Sequence, residues 1–236
     1  MFQHLSVLLF IVFSTISFGQ KDASINRHKH DVEKEQFLPT KIKDSEKQIL
    51  KNKKVPSIIQ EEVAEVLSYF PELAEIQIDF VFKDRINKSF MQAQPKWYGF
   101  FQSKNKRDYV IKISRNFQME DYMLPIEELP KDIIIGWLAH ELGHIMDYQD
   151  KSAFALIKFG LSYITSHEYM IEAERTADVK AIHCNLGDYL VIKKNFIQNH
   201  SDIPLNYKDR IKQFYMSAEE AIELMDNLSG EMLTSD

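Results

Sequence analysis

The sequence predicts an α+β fold, with a small, mostly antiparallel sheet followed by a mainly helical half. Three strand-like segments, IQIDFVF, WYGFF and DYVIKISRNF, lie between residues 76 and 117, and the turn-like SKNKR joins the last two. Their alternating apolar residues and their aromatic and β-branched content favour strands in a largely antiparallel arrangement. After a predicted loop at residues 118–130, apolar residues recur at helical spacing from Asp132 onward.

One helix is predicted before the sheet and a run of helices after it. The first, at residues 57–70, places its apolar residues on one stripe and ends before Pro71. Ser217 and Glu220 form a capping box at the start of the last helix, and Gly187 is a candidate stop for the third helix of the run. The helices of this run are predicted at residues 132–149, 152–165, 167–186, 188–199, 206–214 and 217–228.

Length and composition indicate one domain with polar ends. The chain has 236 residues, of which 44% are hydrophobic, and this is enough for one sizeable core. We therefore predict a single domain at residues 56–228 and a polar tail at residues 229–236. Residues 20–55 are rich in Lys, Glu, Asp and Gln and are predicted to form a flexible or loosely docked leader.

Residues 1–19 are predicted to be a cleaved signal peptide. The apolar run LSVLLFIVFSTISF carries no charge and is too short for a relaxed membrane span, and small residues precede the predicted cleavage before Gln20. We therefore expect a secreted or periplasmic protein with no transmembrane helix in the mature chain. The alternatives are an uncleaved membrane anchor and an ordinary buried helix.

Charge and cysteine content argue against a nucleic-acid-binding protein and against a disulfide-stabilised protein. The net charge is −6 at pH 7, and an acidic exported protein is a poor candidate for nucleic-acid binding, so we expect no nucleic-acid partner. The single cysteine, Cys184, cannot form a disulfide within the chain. Stability must therefore come from the core or from a metal.

The segment HELGH at residues 140–144 has the HExxH spacing of zinc hydrolases. Positions i and i+4 share one face of a helix, so His140 and His144 can both offer an imidazole nitrogen to one ion. Glu141 is rotated by about 100° from His140 and can polarise a bound water without ligating the metal. The alternative is a core helix, but two buried histidines without an ion would leave several polar nitrogens to satisfy.

A catalytic zinc normally takes three protein ligands, and Glu174 is the predicted third. If Glu174 binds the ion, Asp178 lies one turn further on and can accept the N–H of a ligand histidine. Small residues on the same helix would let it approach the histidine helix closely, and Gly143 supplies a similar gap on the other side. These small residues are Ala173, Ala177 and Ala181. The alternative is that Glu174 and Asp178 belong to a solvated acidic face, as expected for Glu168 and Glu172.

Asp150 is a competing third ligand, because one zinc motif places a ligand six residues after its second histidine. That motif requires a glycine three residues after the second histidine, where the chain bends back to the metal. Here Asp147 occupies that position. The helix is therefore expected to carry Asp150 away from the ion.

HELGH followed by ERTAD resembles the gluzincin pattern, HExxH plus ExxxD, and is most similar to the HtpX-like and CAAX-processing metallopeptidases. The resemblance covers roughly residues 108–183 and implies a zincin-like fold. It implies one zinc ion per chain on His140, His144 and Glu174, with Glu141 as general base and Asp178 supporting a histidine. Two departures are that AFALIKFGLSYI is too short to span a membrane and that IPLNYKDRI lacks the histidine expected before its proline.

The resulting hypothesis is an exported zinc-dependent endopeptidase that acts on a peptide or protein substrate. The strand DYVIKIS could pair with an extended substrate by edge addition, or it could be an ordinary strand of the sheet. Candidates to steady the oxyanion are His167, His183, Tyr207 and Tyr215. The alternative is an exported zinc-binding chaperone-like or assembly module with little proteolysis. In a third hypothesis, the leader inhibits a zymogen.

Overall fold

The computed structural model describes residues 44–84, 86, 89–119 and 122–234. The predicted signal peptide and residues 20–43 of the leader lie outside the described residues. The fold is α+β, as predicted, and helices predominate. The helices are α1 (Asp44–Ile49), α2 (Gln60–Ser68), α3 (Lys131–Gln149), α4 (Ala153–Thr165), α5 (His167–His183), α6 (Gly187–Asn199), α7 (Leu205–Phe214) and α8 (Ala218–Thr234). Among the helices that the structure describes, none combines the length and the apolar character needed to cross a membrane.

The main sheet has four strands in the order β1-β2-β4-β3. Its strands are β1 (Lys53–Lys54), β2 (Ile78–Lys83), β3 (Met91–Pro95) and β4 (Tyr109–Ser114). β1 and β4 both run parallel to β2, and only β3 runs antiparallel to β4. The prediction of a mostly antiparallel sheet is therefore wrong: the sheet is mixed, because β3 returns between β2 and β4 in sequence but lies outside them in space.

The segment WYGFF was predicted to be a strand, and this is also wrong, because Trp97–Phe101 forms a 3-10 helix. The backbone turns here around Gly99, where an added Cβ would lie 3.0 Å from Arg107 Cγ. The strand that pairs antiparallel with β4 is instead MQAQP, which is β3. A second, two-stranded hairpin joins Asn116–Met119 (β5) to Tyr122–Pro125 (β6), so the predicted loop at 118–130 contains a strand.

The helices predicted after residue 131 are found in the predicted order, and two of them end more than one residue from the predicted position: the third helix, and the last, which continues to Thr234. The third ends at His183 and not at residue 186, because Asn185 takes the left-handed conformation (φ 59°) and closes the helix. Leu186 N–H donates to Ala181 O (3.1 Å) in this C-cap, and Gly187 then starts α6. The predicted capping box is present, since Ser217 N–H donates to Glu220 Oε2 at 2.7 Å and Glu220 N–H donates to Ser217 Oγ at 3.1 Å.

Helices and strands extend beyond the predicted domain ends. Residues 44–55 of the predicted leader contain α1 and β1, and β1 pairs with β2. Residues 229–234 of the predicted tail continue α8.

Helix α3 is the centre of the fold, since it packs against β3, α2, α5 and α6. Five of its apolar residues are fully buried, in keeping with a helix that is apolar on nearly every face. These residues are Ile135, Leu138, Ala139, Leu142 and Ile145. The polar residues of HELGH therefore lie inside the protein, between the sheet and two helices.

Helices α3 and α5 approach closely at Gly143. A Cβ at this position would lie 2.2 Å from the backbone oxygen of Ala177, which is itself fully buried. The small-residue strip of α5 therefore lies against α3, as the sequence predicts. This contact sets the distance between the HELGH face and the carboxylates of α5.

Gly143→Ala is expected to lower the free energy of unfolding by about 3 kcal/mol, the upper end of the usual cost of overpacking. The methyl group meets backbone, which cannot move without separating α3 from α5. Gly230→Ala is the matched control, because nothing lies within 4 Å of a Cβ there. This control is expected to gain up to about 1 kcal/mol from helix propensity. Urea unfolding of both variants measures the difference, and equal midpoints would contradict the close approach.

Candidate metal centre

Two imidazoles and one carboxylate converge at the contact between α3 and α5. His140 Nε2 lies 2.9 Å and His144 Nε2 lies 3.4 Å from Glu174 Oε2. The three ligand atoms lie within 4.8 Å of one another, and all three residues are buried. This group can hold a metal ion. The structure thus brings together the three residues that the sequence predicts as ligands.

Asp178 fixes the orientation of His140. Its Oδ1 lies 2.9 Å from His140 Nδ1, so Nδ1 carries a proton and Nε2 is the nitrogen that faces the centre. Lys194 Nζ donates to Asp178 Oδ2 at 2.7 Å. Burial alone would raise the pKa of Asp178, but the Lys194 ammonium and then His140 hold it well below its usual range. Asp178 is therefore an ionised carboxylate, as its predicted supporting role requires.

The electrostatics of the centre favour a charged Glu174. Burial opposes its ionisation, yet His144 and then His140 hold the pKa of Glu174 well below the usual range. Burial and Lys193 lower the pKa of His140, but the carboxylates of Asp178 and Glu174 outweigh them and raise it to about 9. A metal ion therefore competes with a proton for His140 Nε2, so metal affinity rises with pH.

Tyr163 contacts the candidate ligand Glu174, and the sequence did not predict this contact. Its hydroxyl donates to Glu174 Oε1, and burial together with Glu174 raises the pKa of Tyr163 well above its usual value. The tyrosine is therefore neutral and keeps its proton for this bond. Its sequence context, AFALIKFGLSYI, indicates only a buried helix, because the contact depends on how α4 packs on α5.

Glu141 lies beside the three ligand residues and is not one of them. Its Oε2 accepts a hydrogen bond from the backbone N–H of Ala93 at 2.5 Å. β3 is an edge strand, so its outward backbone groups are free to meet Glu141. The sequence-based alternative that DYVIKIS pairs with a substrate by edge addition is wrong, because β4 is paired on both sides by β2 and β3.

The centre opens onto a cavity of about 330 Å³. β3 forms one wall, α4 contributes Phe159 and Tyr163, and α7 contributes Tyr207 and Ile211. Most of the lining residues are apolar or aromatic, which is typical of a ligand pocket. The ring of Tyr215 also lines the cavity, with its centroid 5.5 Å from that of His140.

The other residues that the sequence suggested for the site are either in the cavity lining or exposed to solvent. Tyr207 and Tyr215 line the cavity, whereas the exposed His167 and His183 do not. Asp150, the competing ligand, has an exposed side chain that pairs with Lys180 at 3.0 Å. The two acidic residues expected in solvent are exposed, which separates them from the buried Glu174 and Asp178. These exposed residues are Glu168 and Glu172.

Asp178→Asn is expected to weaken metal binding by about 10- to 100-fold, the usual effect of losing a carboxylate that supports a ligand histidine. It also leaves the buried Lys194 without its counter-ion, which costs about 3–5 kcal/mol of stability. The double variant Asp178→Asn/Lys194→Met should recover stability but not affinity. Chelator competition and urea unfolding measure the two effects separately. Recovered affinity in the double variant would contradict a role of Asp178 in orienting His140.

Comparisons of the chain with protein-family models, with curated proteins and with solved structures give no match. The function must therefore be inferred from the geometry and chemistry of the centre itself.

Proposed function

We propose that this protein is an exported zinc-dependent endopeptidase of the gluzincin type, as its resemblance to the HtpX-like and CAAX-processing metallopeptidases implies. The observation that supports this proposal most is the convergence of His140, His144 and Glu174 with Glu141 beside them. Two histidines and one carboxylate, with a cavity in front of them, match the donor set of catalytic zinc sites that keep one position open.

The alternative, a zinc-binding chaperone-like or assembly module, predicts a site closed by a fourth protein ligand. Within the described residues the group contains three ligand residues, and these line a cavity. This arrangement favours the enzyme over the module.

In the proposed mechanism, His140, His144 and Glu174 would hold zinc, which would supply Lewis acidity for activating a water and polarising the scissile carbonyl. Glu141 takes the proton of the attacking water and delivers it to the leaving amine. Asp178 keeps His140 in the tautomer that presents Nε2. Tyr163 holds the carboxylate of Glu174 in place through its hydrogen bond.

The free edge of β3 is the proposed site for the substrate backbone. Ser114 N–H donates to Phe90 O at 2.9 Å and Lys96 N–H donates to Asp108 O at 2.8 Å, so residues 90 and 96 face β4. Ala93, which is out of phase with both, faces the free edge, where its N–H meets Glu141. An extended peptide can add to this edge by backbone hydrogen bonds and would lie in front of the metal ligands.

The test is cleavage of a diverse peptide library by the zinc-loaded chain from Gln20 to the C-terminus, read by mass spectrometry. Cuts that disappear both in Glu141→Gln and after chelation would support the proposal. Metal analysis of the same sample establishes that zinc is bound. An absence of cuts from protein that holds zinc would contradict it and favour the zinc-binding module.

A further inference from the structure

Lys193 is a buried cation for which the proposed mechanism has no role. It lies on α6, its side chain lines the cavity, and only 4% of the residue is exposed. Among the described residues it makes no hydrogen bond or ion pair, whereas its neighbour Lys194 is bound to Asp178. An unpaired ammonium is costly to bury, and burial accordingly lowers the pKa of Lys193 to about 8.

Packing of α6 on α3 directs Lys193 towards the metal centre. A Cβ added to Gly136 would lie 2.9 Å from Lys193 Cβ, so the two helices touch one turn before His140. The charge of Lys193 is close enough to lower the pKa of His140. The charged groups that act on Lys193 are Asp178, Lys194, Glu141 and Glu174.

The charges around Lys193 favour an anionic ligand once a metal is bound. With His140 neutral, as metal binding requires, Lys193 and Lys194 oppose the carboxylates of Asp178, Glu141 and Glu174, which leaves one net negative charge. A bound dication turns this into one net positive charge. Zinc and Lys194 engage two of these carboxylates, which leaves Lys193 for a ligand; Arg210 is a second cationic side chain in the lining of the cavity.

The cavity next to Lys193 suits an apolar side chain. Phe90 and Trp137 form part of its wall, with ring centroids 4.6 Å apart. Ile197 and Ile211 also line this region. A ligand that combines an apolar group with a carboxylate would bury the first against these residues and pair the second with Lys193 Nζ.

We propose that Lys193 binds a carboxylate of the substrate, so that the cavity selects peptides with a carboxylate next to an apolar residue. This inference rests on the proposed function, since it names the substrate class of the same cavity. Either a free C-terminus or an acidic side chain supplies the required group. A charge-assisted bond in a buried site changes affinity by about 10- to 100-fold.

The test measures, by titration calorimetry, the affinity of four peptides for the zinc-loaded mature chain. The peptides share one apolar core sequence and differ in a free or amidated C-terminus and in an acidic residue, Glu or Gln. We expect the carboxylate peptides to bind about 10- to 100-fold more tightly than their neutral counterparts, and the two pairs identify the source of the carboxylate. Equal affinities for all four peptides would overturn the inference.

Lys193→Met keeps most of the aliphatic stem and removes the charge. We expect this variant to bind the carboxylate peptides less than about threefold more tightly than the neutral peptides. Its zinc content and its midpoint of urea unfolding should stay at least at the wild-type level. Lys180→Met, which removes a lysine outside the cavity, should keep the full preference. A preference that persists in Lys193→Met would show that the metal or another group binds the carboxylate. Loss of zinc from this variant would show that Lys193 only balances the charge of the centre, and would also overturn the inference.

The outcomes for this inference and for the proposed function are separable. If all four peptides bound with equal affinity and were all cleaved, the role of Lys193 would be contradicted, but the proposed peptidase activity would not. If binding depended on Lys193 but no peptide was cleaved, the proposed peptidase activity would be contradicted. The binding of a carboxylate by Lys193 would still be supported.

Discussion

Glu141→Gln is expected to lower kcat by about 10²- to 10⁴-fold, the usual contribution of a general base. The amide has the shape of the carboxylate, and its oxygen can still accept the hydrogen bond from Ala93 N–H. It cannot take a proton from water at neutral pH. Since Glu141 is not among the three converging ligand residues, the variant should bind zinc as the wild type does. Steady-state cleavage of a library peptide and metal analysis of the same sample measure both quantities.

Asp150→Asn is the matched control for this variant. It makes the same change of charge near the end of the same helix, but the side chain is exposed and pairs with Lys180 outside the cavity. Its activity should therefore stay within about twofold of the wild type, because surface charges are screened by solvent. Loss of zinc from Glu141→Gln would show that Glu141 is a ligand. Undiminished turnover by that variant would show that another group is the base.

The helical half of the fold could be predicted because its signal is local. The apolar period of α3 and the capping box of α8 depend on residues within a few turns of one another. The sheet could not be predicted in the same way. MQAQP in β3 is short, contains a proline and has no β-branched residue, and it is a strand because β4 pairs with it. WYGFF has strand-like composition but turns at Gly99, where Arg107 packs against the backbone.

The candidate centre shows the same division. His140 and His144, like Glu174 and Asp178, are pairs at i and i+4, so helix geometry alone predicts which side chains share a face. Three further contributors to the site come from β3, α4 and α6, and packing alone brings them to the centre. These are Ala93, Tyr163 and Lys193. No local spacing marks them, because their role depends on elements that are distant in sequence.

Glu174→Ala is expected to weaken zinc binding by more than about 100-fold, because loss of a ligand should exceed the 10- to 100-fold cost of losing a group that only supports one. The effect also appears as stability, since a ligand that binds only the native state stabilises it in proportion to its affinity. At a zinc concentration of 1,000 times Kd the wild type gains about 4 kcal/mol. A 100-fold loss of affinity at the same concentration leaves about 1.4 kcal/mol.

Each variant must be compared with itself, with and without zinc, because removing a buried carboxylate also changes the stability of the metal-free protein. Glu172→Ala is the matched control, since it removes an exposed glutamate from the same helix and should keep the whole zinc-dependent gain. Asp150→Ala tests the competing ligand and should also keep it, because that side chain is paired with Lys180. If Glu174→Ala kept full zinc affinity while Asp150→Ala lost it, the third ligand would be Asp150. The convergence of Glu174 with the two histidines would then be a feature of core packing alone.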